Sequence, residues 1–275
     1  MNFMNITYPH ATIVFHISVD DTDLYYYLKT YFGTAVSKAD NRIKNNLEIY
    51  YMSIFYERNQ MEIVYRNKFD KVYFNNSNLL HIVFMNIRDN LSFEDGWNAY
   101  HGTVVNLEGK NYLFMGESGA GKTTLVTYLL NACGAHIFTE DIVIINYFKN
   151  QVSPLIRPLY LRNAGYELLI KHHVKLEGKA SPVSEYGIDR IRYIPNEAQA
   201  AKYSCSIDFC VILQIDRAAA KIYPHHDINH LVYNSYLHTS GVKNIKSSLR
   251  LSKIIPLYRM QYYGFSKVYE MLRSL

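Results

Sequence analysis

Residues 116–124, Gly-Glu-Ser-Gly-Ala-Gly-Lys-Thr-Thr, carry the most specific chemical pattern in this sequence of 275 residues. The segment fits G-x-x-x-x-G-K-[ST], in which glycines let backbone N–H groups turn inward around a phosphate. The lysine of such a loop reaches the β- and γ-phosphates of a nucleotide, and the hydroxyl that follows it holds Mg²⁺. The pattern therefore predicts a site for ATP, or another nucleoside triphosphate, together with Mg²⁺.

The flanks of this loop favour the same interpretation over a chance glycine-rich turn. An apolar run at 112–115 is typical of a short buried strand, and residues 125–130 have helical spacing. The positive end of that helix would face the bound phosphate. The residues expected to bind the nucleotide are Gly116, Ser118, Gly119, Ala120, Gly121, Lys122, Thr123 and Thr124.

Two adjacent acids, Glu140 and Asp141, follow the loop helix and precede an apolar run. In a phosphate-loop fold, an acid at the end of a nearby strand holds Mg²⁺ directly or through water. A second acid can accept the proton of an attacking hydroxyl. The alternative is a polar turn between two strands. His101, at the start of a strand before the loop, is either a site residue or a structural one.

Composition and charge limit the classes of protein to which this sequence can belong. A sequence that is 49% hydrophobic and 19% charged predicts a folded core rather than global disorder. We expect a cytoplasmic protein without membrane association, since there is no basic n-region with an apolar run and no apolar stretch of about 20 residues. Three cysteines without C-x-x-C fit a reducing compartment. No motif for nucleic acid is present, and a homo-oligomer is possible.

Periodicity divides the chain into a small α+β domain at 1–95 and a catalytic domain at 96–275. The first domain is expected to contain strands at 11–18, 47–56 and 61–65 and helices at about 20–31 and 78–91. For the second we predict strands at 102–107, 111–115, 141–147 and 207–215 and helices at 122–132, 226–238 and 265–274. The polar stretch 171–198, with glycines and prolines, predicts a long loop or a mobile segment.

Two further sets of residues have possible chemical roles. An arginine over the γ-phosphate would stabilise the transition state, and the alternative for each basic residue is a solvated surface. The basic candidates are Arg157, Arg162, Lys171, Lys175, Arg190 and Arg192. The spacing of His226 and His230 on a predicted helix would allow zinc binding, although packing is the more common role. His225 and Cys210 complete that second set.

The ordered set of Trp97–Gly102, a hairpin, the glycine loop and Glu140-Asp141 resembles the catalytic domain of HPr serine kinase/phosphorylase. That family has His-Gly before the hairpin, G-x-S-G-x-G-K-[ST], and an Asp-Asp pair after the loop helix. The resemblance is tight over 97–146 and vague elsewhere, and Glu140 departs from the family's aspartate. We do not find the family's second, glutamate- and glycine-rich signature. The chain is in this respect more similar to the lasso peptide kinases.

The resemblance implies an α/β phosphate-loop domain with a mixed sheet, preceded by the small α+β domain. It implies an ATP- and Mg²⁺-dependent serine kinase in which Glu140 is the base, Thr123 and Asp141 hold the metal, and His101 assists. The expected acceptor is a peptide or small protein, above all the C-terminal serine of a lasso peptide precursor. The alternatives are a kinase that acts on HPr itself, or a nucleotide-binding regulator or ATPase without an acceptor.

Overall fold

The computed structural model describes Arg88, residues 96–152, 154–185, 188–201, 203–235 and 241–275, and the backbone of the strands between residues 2 and 73. The chain divides into two units, Met1–Leu91 and Ser92–Leu275. None of the helices in these described ranges is long and apolar enough to cross a membrane.

The first unit contains a six-stranded sheet in the order β3-β1-β2-β4-β5-β6. Its strands are β1 (Asn2–Thr7), β2 (Ala11–Ile17), β3 (Val36–Ser37), β4 (Glu48–Glu57), β5 (Gln60–Tyr65) and β6 (Lys68–Tyr73). Only β2 and β4 pair in parallel among these strands. The three strands predicted in this part are confirmed as β2, β4 and β5. Its two predicted helices lie outside the described residues, apart from Arg88.

A mixed six-stranded sheet, in the order β10-β8-β9-β16-β18-β17, forms the centre of the second unit. Its strands are β8 (Thr103–Leu107), β9 (Lys110–Met115), β10 (His136–Thr139), β16 (Phe209–Ile215), β17 (Lys221–Pro224) and β18 (Leu257–Tyr262). The neighbouring strands β9, β16 and β18 are parallel, so their carboxyl ends share one edge of the sheet. The predicted mixed sheet and the strands at 102–107, 111–115 and 207–215 are confirmed.

Helix α1 (Lys122–Ala132) follows β9, as predicted, and packs its apolar face on this sheet. Leu125, Val126 and Leu129 are fully buried in one core cluster with Phe114 and Val211 of the strands. Burial of each such side chain contributes about 1.5–3 kcal/mol. This packing holds the first turn of α1 at the edge where β9, β16 and β18 end.

Two three-stranded antiparallel sheets and four more helices complete the described part of the second unit. The sheet β12-β11-β7 contains β7 (Trp97–His101), β11 (Ile142–Asn146) and β12 (Gln151–Val152), and the sheet β13-β15-β14 contains β13 (Leu159–Arg162), β14 (Lys179–Glu185) and β15 (Ile188–Ile194). The helices are α2 (Asn163–Lys171), α3 (Asn229–Tyr233), α4 (Gly241–Ile254) and α5 (Val268–Arg273). The strand predicted at 141–147 is confirmed as β11, and the final helix as α5.

Two predictions for the second unit were wrong. The stretch 171–198 is no long loop, because half of it forms the paired strands β14 and β15. Pro182 is accommodated since β14 is an edge strand of its sheet. The helix predicted at 226–238 runs only over Asn229–Tyr233, because Ser235 leaves the helix to form a β-bridge with Tyr100.

Candidate functional site

The glycine loop, residues 116–121, connects β9 to α1 in a conformation that favours glycine. Gly116 has φ 147° and Gly121 has φ 83°. A Cβ atom on Gly121 would lie 2.6 Å from the hydroxyl oxygen of Tyr262, and one on Gly116 would lie 2.8 Å from the carbonyl oxygen of Leu213. Both glycines are therefore required by backbone conformation and by the close approach of neighbouring strands.

The first turn of α1 has the features of an anion site. Gly121 supplies no side-chain cap, and the turn contains no acidic residue. The N–H groups of a helix start, which lack helical partners, then favour an external anion. Lys122 Nζ donates hydrogen bonds of 2.7 Å and 3.2 Å to the carbonyl oxygens of Gly116 and Glu117. Burial lowers the pKa of Lys122, while the charges of Glu140 and Asp141 oppose this effect.

Glu140 is a buried carboxylate held by two hydroxyl groups. The residue is only 6% exposed to solvent. Thr123 donates a hydrogen bond of 2.8 Å to Oε1, and Thr103 donates one of 2.5 Å to Oε2. Burial raises the pKa of Glu140, with a smaller contribution from Asp141, and the two hydrogen bonds only partly offset this rise. The carboxyl group of Glu140 therefore lies directly beside the hydroxyl group of Thr123.

Asp141 occupies a strained position between the side chains of His101 and Arg157. Its φ is 66°, and the N–H of Ile142 bonds the Glu140 carbonyl at 2.7 Å across it, which makes a tight γ-type turn. His101 Nε2 lies 2.9 Å from Oδ1, and Arg157 Nη1 lies 2.6 Å from Oδ2. Burial opposes ionisation of Asp141, but the His101 hydrogen bond and the Arg157 charge outweigh it and hold its pKa well below the usual range.

These groups line one cleft with a volume of about 550 Å³. Its lining includes His101, Asp141, Tyr263 and Phe265 together with residues of the glycine loop. This volume lies within the range of about 300–1,000 Å³ that is common for small-molecule sites. The arrangement therefore offers space for a nucleotide-sized ligand on both sides of the glycine loop.

Two arginines face the loop from the sheet β13-β15-β14. Arg162 and Arg190 lie opposite each other in the β13–β15 pair, and both line the cleft. Arg162 Nη2 donates a hydrogen bond of 3.1 Å to Ser118 Oγ. In the described part of the chain neither guanidinium is paired with a carboxylate. Because like charges placed opposite each other on a sheet are destabilising, this pair fits an anionic ligand.

The structure brings most of the sequence-predicted site residues together. The lining of the cleft includes His101, Ser118, Gly119, Gly121, Lys122, Thr123, Thr124, Glu140 and Asp141. Gly116 and Ala120 act through their carbonyl groups, which accept hydrogen bonds from Lys122 and Tyr262, the latter at 2.9 Å. Thr123 contacts Glu140, whereas the sequence analysis grouped it with Asp141.

Sequence reasoning missed Thr103 and Tyr262. Thr103 follows His101 by two residues, which is the one signal that places it near the acids. Tyr262 has no local signal, since it reaches the loop from β18. Of the basic candidates, Arg157 binds Asp141 and Arg162 and Arg190 enter the cleft. The others, Lys171, Lys175 and Arg192, do not line it.

The predicted histidine set has a different composition in the structure. The ligand atoms of His225, Asp227 and His230 lie within 4.8 Å of one another, whereas His226 and the buried Cys210 are not part of the group. Arg259 Nη2 lies 2.8 Å from Nε2 of His230 and 3.4 Å from Nε2 of His225. The Arg259 guanidinium therefore already contacts one ring nitrogen of each histidine, and its positive charge disfavours a zinc ion there.

Comparisons with known proteins show similarity at the level of structure. No family model and no curated protein matches the sequence. Among solved structures, the chain is similar to the HPr(Ser) kinase/phosphatase from Coxiella burnetii, with a TM-score of 0.30 and 9% sequence identity. The alignment covers 64% of this chain and 94% of that chain. Because both similarity values are low, the function proposed below rests on the contacts within the site.

Proposed function

We propose that this protein is a Mg²⁺-dependent kinase that transfers the γ-phosphoryl group of ATP to a serine hydroxyl. The observation that carries the proposal is the contact between the Thr123 hydroxyl and Glu140, beside the Lys122 ammonium at the start of α1. A hydroxyl, an acid and a lysine at the end of a glycine loop are the parts that nucleotide-dependent phosphoryl transfer requires.

The phosphate end of the site is built from positive charge. Lys122 exchanges its loop carbonyl partners for the β- and γ-phosphate oxygens. Arg162 and Arg190 approach the same oxygens from the opposite wall of the cleft. The role of these groups is to stabilise charge on the phosphoryl group as it leaves, rather than to form covalent bonds.

Thr123 and Glu140 have the donor set that Mg²⁺ prefers in nucleotide sites, a hydroxyl and one carboxylate completed by phosphate oxygens. Thr123 and Glu140 would hold the ion, which would supply positive charge against the negative charge of the phosphate oxygens. We therefore assign Glu140 to the metal and Asp141 to the acceptor, the reverse of the division that the sequence analysis expected. The supporting observation is that the Thr123 hydroxyl contacts Glu140.

Asp141 is suited to receive the acceptor hydroxyl. The charge of Arg157 and the hydrogen bond with His101 keep its carboxylate ionised at neutral pH. The carboxylate orients the serine O–H and takes its proton as the new P–O bond forms and the bond to ADP breaks. His101 holds Asp141 in this orientation.

The acceptor proposed is the C-terminal serine of a lasso peptide precursor, ahead of HPr. Support comes from the sequence resemblance and from Arg190 of the hairpin β14–β15, which lines the cleft and whose positive charge suits a terminal carboxylate. The test is incubation with ATP and Mg²⁺ and three classes of acceptor: a serine-ending precursor peptide, HPr, and a panel of small metabolites. Mass spectrometry should show phosphorylation of the peptide. Phosphorylation of a metabolite alone would refute a peptide acceptor, and phosphorylation of HPr alone would favour the carrier protein.

A further inference from the structure

We infer that Tyr263 is the stacking platform for the nucleobase, with Ile215 completing an apolar base subsite on the side of the loop away from the acids. The inference rests on the proposed function, because it assumes a nucleoside triphosphate in the cleft. In this inference Tyr263 and Ile215 contact the base and ribose of the ligand, whereas the glycine loop binds its phosphates.

The order of strands sets the direction of the ligand. Glu140 is held by Thr103 of β8, which lies on one side of β9 in the sheet, while β16 and β18 lie on the other side. The metal and the γ-phosphate belong at the Glu140 side, since Thr123 contacts that acid. The nucleoside must then extend across the loop toward the carboxyl ends of β16 and β18. Ligands of α/β sheets commonly bind at such strand ends.

The far end of the cleft has the chemistry of a base subsite. Ile215 ends β16 and is 50% exposed, and Tyr263 directly follows β18 and is 59% exposed. Both line the cleft. Large apolar side chains exposed within a concave site provide contact area for an apolar or aromatic ligand. The guanidinium of Arg217 lies 5.5 Å from the ring centre of Tyr263, which leaves one ring face for stacking and adds a cation beside it.

Helix α2 packs closely against the start of α1 beside the cleft. A Cβ atom on Gly165 of α2 would lie 2.3 Å from Thr124 Oγ1, so α2 and the start of α1 are in close approach. Leu168 of α2 and Phe265 also line the cleft. The subsite therefore lies in a cleft that α2 and the residues after β18 both line.

The test compares a nucleotide with its phosphate part alone. Binding of a non-hydrolysable ATP analogue and of inorganic tripolyphosphate, each with Mg²⁺, is measured by calorimetry for wild type, Tyr263→Ala and Tyr263→Phe. The matched control is Tyr233→Ala, since Tyr233 is 83% exposed and lies outside the cleft. Tyr263→Ala should weaken the analogue about tenfold, as expected for loss of one base–aromatic stack, without changing tripolyphosphate binding. Tyr263→Phe and the control should bind both ligands like wild type.

The outcomes separate this inference from the proposed function. If wild type binds the analogue no better than tripolyphosphate, or if Tyr263→Ala binds the analogue with wild-type affinity, the base subsite is refuted while phosphate binding stands. An equal loss for both ligands would show that Tyr263 acts on the loop rather than on the base. If wild type binds neither ligand, the proposed function and the inference both fail.

Discussion

The hydroxyl of Thr123 lies 2.8 Å from Oε1 of Glu140 and donates a hydrogen bond to it. This contact joins the first turn of α1 to the turn between β10 and β11, and it brings a hydroxyl and a buried carboxylate to the same point of the cleft. The chemistry proposed for the site depends on this pairing, because it decides which of two adjacent acids meets the metal.

The Thr123–Glu140 contact predicts a specific dependence on the hydroxyl. Thr123→Val should raise the Mg²⁺ concentration needed for half-maximal transfer at least about tenfold, since one metal ligand is lost. Thr123→Ser keeps the hydroxyl and serves as the control. Magnesium titrations of the transfer rate measure both. A normal Mg²⁺ response in a folded Thr123→Val variant would contradict the metal assignment.

The variants Glu140→Gln and Asp141→Asn should have different defects in phosphoryl transfer. Glu140→Gln should recover part of its activity as Mg²⁺ is raised, because its defect lies in metal binding. Asp141→Asn should bind nucleotide and Mg²⁺ normally but transfer at least about 100-fold more slowly, the usual range for loss of a general base. Binding and single-turnover measurements distinguish the two defects. The opposite pattern would restore Glu140 as the base and Asp141 as the metal ligand.

The same two variants should change thermal stability in opposite directions. The raised pKa of Glu140 means that its stabilising contribution is present at low pH and is lost as the pH rises through the folded-state pKa. Glu140→Gln should therefore unfold at a higher temperature than wild type at pH 7. The lowered pKa of Asp141 has the reverse sign, with stability present above the unfolded-state pKa and lost as the pH falls.

For Asp141→Asn we expect a loss of about 1 kcal/mol, or roughly 2–4 °C, at pH 7, a value reduced for the partial exposure of Asp141. The difference from wild type should be constant above about pH 4, close to the pKa of a free aspartate, and should shrink as the pH falls below that value. Melting curves of the three proteins across pH provide the measurement. Equal shifts for both variants would contradict the electrostatic account of the pair.

The opposed arginines should matter for activity and not for folding. Arg162→Ala and Arg190→Ala should each lower the rate of transfer by about 100-fold, as for loss of a group that stabilises the transition state. Neither should lower the melting temperature, since removal of one of two opposed like charges relieves repulsion. Arg250→Ala is the matched control, because Arg250 lies over Phe148 and outside the cleft. Wild-type transfer by both variants would exclude this arginine pair from the phosphate site.

The loop and its immediate neighbours were predictable from the sequence because their signals are local. Gly116, Gly121 and Lys122 occupy a short pattern, and the apolar periodicity on each side specifies a strand and a helix. Apolar periodicity also predicted the strand at 207–215, although it did not indicate that this strand pairs with β9. Each of these inferences uses residues within a few positions of one another.

The sheet β13-β15-β14, which contributes Arg162 and Arg190 to the cleft, was not predictable from local sequence patterns. The strand β15 alternates charged and apolar residues, but glycines and prolines around it favoured a loop. The contact between Arg162 and Ser118 joins residues 44 positions apart, and it depends on the register of β13 with β15. Thr123 contacts Glu140, whereas His101 and Arg157 contact Asp141. These contacts depend on tertiary packing, and no residue pattern in this segment indicates the positive φ of Asp141.

The most direct test of the central claim is phosphoryl transfer by Lys122→Ala. Lys110→Ala is the matched control, since Lys110 begins β9 at the end remote from the loop. With ATP, Mg²⁺ and the serine-ending peptide, wild type and Lys110→Ala should produce phosphopeptide at equal rates by mass spectrometry. Lys122→Ala should be slower by about 100-fold or more while keeping the wild-type melting temperature. Transfer by Lys122→Ala at the wild-type rate, or a wild-type protein that binds ATP and Mg²⁺ yet phosphorylates no acceptor, would contradict the account.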